Sequence, residues 1–299
     1  MSDTTASLRR KLNGAKDLQS VVRAMKAMAA SSIGQYEKSV KALADYYRTV
    51  ELGLGACFRK AGSAPLLKEP KRNLSLVKTG AVVFGSDQGL VGQFNDVVAD
   101  FAIQELLRLP GRPKIWAVGA RVQARLADAG LPVTGGFSVP NSVNAITPLI
   151  GRIVVEGEAT LGRGDANKLY LYYNRPTGGA GYAPVSQRLL PLDEIWRRKL
   201  IENPWPTKGL AEVLGTGDGT LEALIRGYLF ISLFRGCAES LASENASRLA
   251  AMQRAEKNIE DLLGDLTGRY NRLRQGRIDE ELFDVVSGFE ALTSKRGAF

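Results

Sequence analysis

The chain has 299 residues, 44% hydrophobic and 24% charged, which is ordinary for a globular protein and outside the disordered and collagen-like ranges. It contains no histidine, which removes Ser-His-Asp and Cys-His nucleophile systems, histidine metal ligation and the commonest acid–base catalyst. A net charge of +9, from 40 Lys and Arg against 31 Asp and Glu, leaves room for a basic face toward nucleic acid, anionic lipid or an acidic protein.

The first ten residues hold no apolar stretch of the kind that opens a signal peptide. From Leu8 onward, apolar or small residues recur at 8, 12, 15, 18, 22, 25, 29, 33, 36, 40, 43, 47, 50, 54 and 57. The steps alternate between three and four, close to the 3.5-residue repeat of a coiled coil. No proline interrupts before Pro65, so one helix of about 50 residues, about 75 Å long, is expected over 1–60, capped by Thr4, Thr5 or Ser7. Around Met25-Lys-Ala-Met-Ala-Ala-Ser-Ser the seam thins to Ala and Met, residues that allow close approach and adapt to changing neighbours. Residues 1–50 carry nine basic against four acidic side chains.

The middle, over 75–200, alternates strand and helix. Residues 79–85 read as a buried strand, followed by the loop 86–92 and a helix over 95–109. Strands are expected at 114–118, 131–139, 168–174 and 184–191, with helices at 120–129 and 146–161. That order predicts a mostly parallel, Rossmann-like α/β sheet with a last strand that can run antiparallel. The glycines of Gly85-Ser-Asp-Gln-Gly-Leu-Val-Gly92 sit at a strand–helix junction, but G-x-G-x-x-G spacing is missing and no P-loop occurs. The loop therefore reads as a tight turn in which Asp87 caps the following helix.

A connection over 201–219 leads to a second proline-free helix over 220–299, with Asp218 or Thr220 as its cap. Its apolar and small positions, from 221 to 273, keep near-3.5 spacing. The longest apolar run, Tyr228 to Phe234 with Ser232 inside it, is far short of the ~20 residues of a membrane span. Cys57 and Cys237 form neither a disulfide framework nor a C-x-x-C pair and read as small core residues. Heptad helices at the two ends of a chain pair most simply with each other, as an antiparallel coiled coil.

Four blocks then resemble the gamma subunit of F-type rotary ATP synthases: residues 18–32, the loop Ser86-Asp-Gln-Gly-Leu-Val-Gly-Gln-Phe-Asn95, residues 239–252, and Tyr270-Asn-Arg-Leu-Arg-Gln-Gly-Arg-Ile-Asp-Glu-Glu-Leu282. The order helix, Rossmann-like domain, helix is the family's over the whole chain. Gln88, Val91 and Gln93 depart from the family's Asp-Arg-Gly-Leu-Cys-Gly-Gly loop, and Asp279 replaces a hydroxyl residue. The resemblance implies a non-catalytic central-stalk rotor with no cofactor, a peripheral subunit on the cytoplasmic face of a bacterial inner membrane. It implies alpha and beta subunits, an epsilon subunit and a membrane c-ring as partners, with no nucleic acid and no membrane insertion. Coupling and partner contacts implied by the match, together with the basic seam residues, are Arg10, Lys11, Arg23, Met25, Lys26, Arg248, Met252, Arg254, Gln275, Asp279 and Glu281. Ser86, Asp87, Gly89 and Gly92 mark the motif loop. Without the resemblance, a nucleotide-binding enzyme, a basic nucleic-acid-binding coiled coil and a generic coiled-coil adaptor fit the same pattern.

Overall fold

The computed structural model describes residues 4–61, 78–178, 181–209, 211–212 and 217–296. The expected 201–219 connection and the outer ends of the two terminal segments lie partly outside these residues. The chain divides into two compact units, one drawn from the first 28 residues together with Ala251 onward, the other from Ala29–Ala250.

In the second unit, strands β1 (Thr79–Phe84), β2 (Lys114–Val118), β3 (Val133–Phe137), β4 (Lys168–Gly178) and β5 (Gly181–Leu190) form one sheet in the order β3-β2-β1-β4-β5. All pairs are parallel except β4 with β5, the mostly parallel sheet expected from the alternation. β1 is buried throughout because both of its faces are covered. Ala81 and Val83 face the helices α3 (Phe94–Leu107) and α4 (Ala120–Asp128), packing with Val98, Ala102 and Leu126. Val82 and Phe84 face the other way, into a core with Ile146, Ile150 and Ile153 of α5 (Val143–Gly162). Leu229 and Leu233 of the terminal helix α7 (Gly217–Arg296) complete that core.

The single N-terminal helix expected over 1–60 is interrupted. α1 (Thr5–Ala42) ends at a turn residue, Leu43, and α2 (Ala44–Ala61) begins anew. The Ser39 hydroxyl donates back to the Tyr36 carbonyl at 2.7 Å, a bond that competes with the helical ladder and bends helices. The last helix also begins earlier than expected, at Gly217, placing Asp218 in its first turn.

A helix absent from the sequence reading, α6 (Glu194–Glu202), docks on α2. Asp193 caps it, accepting from the Ile195 amide at 2.9 Å. The contact needs Gly55, because a Cβ there would lie 2.5 Å from the Leu200 carbonyl oxygen. Arg59 Nη1 then donates to the Ile201 and Asn203 carbonyls at 2.9 and 3.1 Å, closing the far end of α6.

In the first unit α1 and α7 run antiparallel, since Arg277 donates to Thr5 while Arg23 bonds Glu256. Val22, Met252 and Ile259 form its buried cluster, with Met25, Ala251, Ala255 and Leu263 packed around them. Leu8, Ala15 and Val22 are buried at intervals of seven, as the heptad reading requires. Leu18 is not in the seam. It is 53% exposed while Gln19 is half-buried, because the position four after each of Leu8, Ala15 and Val22 turns inward, and in two of the three cases that residue is polar.

Candidate functional site

The motif loop is fixed by hydrogen bonds from three directions. The Ser86 amide donates to Asn95 Oδ1 at 2.9 Å, Asn95 Nδ2 donates to the Ser86 hydroxyl at 2.8 Å, and that hydroxyl donates to the Gln88 carbonyl. Asp87 does not cap the following helix α3, as the sequence suggested. Its Oδ1 accepts from the Ala120 amide at 2.9 Å, at the start of α4, and its Oδ2 accepts from the Val139 amide at 2.8 Å. The reason lies at Gly119, the residue before α4. Its φ of +113° and the Ser86 backbone, 2.8 Å from where a Cβ would be, exclude every side chain. α4 cannot cap itself, and Asp87 supplies the acceptor from the adjacent strand end.

The stretch Glu239–Ser247 of α7 is buried along its whole length although six of its nine residues are polar or charged. Partners come from the sheet and the loop. Tyr173 Oη donates to Glu239 Oε2 at 2.9 Å, and Arg175 and Arg235 pair with the same carboxylate at 3.2 and 2.7 Å. Burial and the Glu239 charge push the Tyr173 phenol up to about 12. Ser243 donates to the Asn174 carbonyl at 3.0 Å, and Ser247 to the Val91 carbonyl at 2.6 Å. Glu244, 5% exposed, pairs with Arg248 at 2.7 Å. Burial raises the Glu244 carboxyl above its ordinary value, and Arg248 opposes that shift.

These bonds also answer the nucleotide-binding alternative. In open α/β sheets ligands enter at the switch point beyond the strand ends, here between β1 and β4. In this chain Asn174 Nδ2 donates to the Phe94 carbonyl across that crevice at 2.8 Å, and Ser243 and Ser247 of α7 close it. A hollow of about 290 Å³ in the sheet domain lies at the opposite strand ends, lined by Leu106, Arg112, Leu131 and Pro132. Among the described residues no group of three or more His, Cys, Asp and Glu is placed to hold a metal, and no helix is long and apolar enough to cross a membrane. Cys57 and Cys237 are buried free thiols, both raised above their ordinary value by burial.

The residues singled out as partner contacts fall into three groups. Arg10, Lys11, Arg254, Gln275, Asp279 and Glu281 are exposed on α1 and α7. Arg23 and Lys26 are already engaged within the chain: Arg23 Nε meets Glu256 Oε1 at 2.9 Å, Lys26 meets Oε2, and Arg23 reaches Glu260 at 3.6 Å. Met25 is half-buried, Met252 is core, and Arg248 serves Glu244. Of the motif-loop residues Ser86 is buried, Asp87 and Gly89 are half-buried and Gly92 is exposed. Sequence reasoning missed the role of Asn95, which ties the motif loop to Ser86 nine residues back, and those of Asn174, Ser243, Ser247 and Glu256, which depend on partners far away in the chain. The four-residue spacing of Glu239, Ser243 and Ser247 was the available signal.

Unpartnered apolar side chains concentrate on the same two helices. Leu18, Val21 and Met28 of α1 are 53–69% exposed, and Ile278, Leu282, Phe283, Val285 and Val286 of α7 are 47–71% exposed. Leu282, Val285 and Val286, at i, i+3 and i+4, share one face of α7, an exposed apolar cluster of the kind that marks an interaction site.

A family model described as ATP synthase matches residues 4–292. The ATP synthase gamma chain of Desulfosudis oleivorans is 30% identical over 304 aligned positions, covering 94% of this chain and 96% of that one. The gamma chain of Cupriavidus pinatubonensis is 26% identical, covering 96% and 99% respectively. Among solved structures, the rotor of the Euglena gracilis mitochondrial ATP synthase superposes with a TM-score of 0.60 at 17% identity, over 92% of this chain and 98% of that one.

Proposed function

Because the chain belongs to the ATP synthase family as a gamma subunit, a non-catalytic part of the central stalk, we propose that it is the rotor that couples rotation of a membrane c-ring to nucleotide chemistry on beta subunits. The observation that carries this reading is the apolar surface left open on α1 and α7, which calls for enclosure by other chains. In this reading the paired helices work inside a hexamer of alpha and beta subunits, and the sheet domain meets an epsilon subunit and the c-ring. The assembly sits on the cytoplasmic face of a bacterial inner membrane, and the chain is held there by its partners.

The mechanism is differential contact. A bound surface shifts a conformational equilibrium only by the difference in its free energy with the two states. Driving one catalytic subunit from 1:99 to 99:1 needs about 5.5 kcal/mol of such difference. A rotor that offers a different side to each beta subunit supplies it by turning as a rigid body. Arg10, Lys11, Gln275, Asp279 and Glu281 are the contacts assigned to this task, with Met25 as the adaptable apolar neighbour. Arg23 and Lys26 act with Glu256 as one unit.

Native mass spectrometry of the chain purified from its host tests the proposal. One copy with three copies of each of two large subunits is expected. A bare monomer or homodimer that captures neither subunit on co-expression refutes it.

A further inference from the structure

The break between α1 and α2 is bordered by a hollow. Where the helical ladder stops at Leu43 and restarts, Val40, Leu43, Ala44 and Tyr47 face Ile231 of α7 across a space of about 270 Å³. Its wall is nearly all carbon. Ile231 is buried, and Val40, Leu43 and Tyr47 are half-buried side chains that rest on the main core. The Tyr47 hydroxyl is bonded to Glu51, so the phenol brings no unmet polar group to the wall.

Two cations complete the lining, and both are exposed: Lys41 and Arg235. Lys41 has no ion pair among the described residues. Arg235 Nε meets Glu239 Oε1 at 2.7 Å, while Arg175 meets Oε2 of the same carboxylate at 3.2 Å. Two guanidinium groups against one carboxylate leave that cluster with one positive charge, and Lys41 adds another. The acids nearest Lys41 in sequence, Glu37 and Asp45, line no part of the hollow.

A carbon wall with positive charge at its open side fits a hydrocarbon tail that ends in an anion. The tail leaves water for the wall, and the charged end stays where it can remain hydrated and paired. The volume lies at the small end of the ~300–1,000 Å³ of ligand pockets, which suits a tail of about ten carbons better than a whole membrane lipid. We infer that this hollow is a binding site for a medium-chain fatty acid, its tail against Ile231, Leu43 and Tyr47 and its carboxylate met by Lys41 and Arg235. A ligand seated there ties both parts of the interrupted helix to α7. Nothing in this assignment requires the rotor reading to hold.

Isothermal calorimetry of the full chain with decanoate, octanoate and decyltrimethylammonium, each below its micelle concentration, tests the site. Decanoate is expected to bind as one equivalent and about ten-fold more tightly than octanoate, which buries two methylenes fewer. Decyltrimethylammonium, the same tail with a cationic head, should bind at least about ten-fold more weakly than decanoate. Lys41→Gln weakens decanoate at least about five-fold, most at low salt. Ala44→Phe places a ring in the hollow and abolishes binding while the melting temperature stays within about 3 °C of wild type; if that variant folds poorly, Lys41→Gln decides alone. Absence of saturable decanoate binding to wild type overturns the assignment, as does binding that neither substitution changes or that the cationic head matches. Decanoate that binds the isolated chain and is excluded once co-expressed partner subunits are bound also overturns it, because the hollow then receives a protein side chain.

Discussion

Replacing Asp87 by alanine tests whether a side chain outside α4 is what starts that helix. The structure places both carboxylate oxygens on backbone amides, Ala120 at 2.9 Å and Val139 at 2.8 Å. Gly119 has no side chain and the first turn of α4 contains no acid; the other acceptor from outside the helix is the Ser86 carbonyl, which takes the next amide, that of Arg121, at 3.0 Å. Loss of a helix cap costs about 1 kcal/mol. The lost charge at the helix N-terminus adds about 0.5 kcal/mol at a partly exposed site. A second charge-assisted bond, whose donor is left half-buried, adds about 1.5 kcal/mol. The sum is about 3 kcal/mol, or about 6–12 °C in melting temperature for a unit of this size. Asn, which can accept only one of the two amides, should lose about half as much. Urea unfolding of the isolated chain, followed by circular dichroism, measures both variants at unchanged m. A loss below about 1 kcal/mol for Asp87→Ala would show that α4 is capped by other means.

Three further outcomes follow from the packing. Exchanging Arg23 and Lys26 for Glu turns the cluster at Glu256 repulsive, so the midpoint of helix unfolding falls, most at low salt, and Glu256→Lys in the same chain restores it. Hydrogen bonds from Lys26 and then Arg23 hold the Glu256 carboxyl below its ordinary 4.5. The advantage of wild type over Glu256→Gln is thus in place above that pH and disappears as pH falls through the lowered value, and a constant difference from pH 7 to 3 would contradict it. Gly55→Ala pushes a methyl to 2.5 Å from the Leu200 carbonyl, which belongs to a helix backbone and cannot swing aside. It should cost about 1–3 kcal/mol in calorimetry and loosen α6, read as faster amide exchange over 194–202.

The regular parts of the fold were legible because they rest on short-range periodicity. The buried β1, the parallel sheet and the seven-residue interval of Leu8, Ala15 and Val22 are each visible in local apolar spacing. The phase of the seam was not, since Leu18 and Gln19 are adjacent and only the partner helix decides which turns inward. α6 escaped notice because nine residues between Pro191 and Pro204 make only about two and a half turns, with one buried position, Leu200, to show a periodicity, although Asp193 was a usable cap signal. Burial of Glu239, Ser243, Glu244 and Ser247 contradicts any hydropathy reading. Arg248 and Arg235 pair Glu244 and Glu239 from within the helix, but the other partners, Tyr173, Asn174 and the Val91 carbonyl, are at least 66 residues away. For the loop, Gly-Ser-Asp reads locally as a cap for the next helix. The actual recipient lies 33 residues on because Gly119 was emptied to let Ser86 pass.

The polar stretch of α7 has a mechanical meaning. Two greasy surfaces can creep past each other, since dispersion and hydrophobic contact have no preferred direction. Displacement of α7 by one residue turns it 100° and advances it 1.5 Å, which carries Glu239, Ser243 and Ser247 away from Tyr173, Asn174 and Val91 together. Each buried group so orphaned costs about 1–3 kcal/mol, and no intermediate setting restores the set. The helix is keyed to the sheet like a splined axle in its hub, so a torque applied to one reaches the other without backlash.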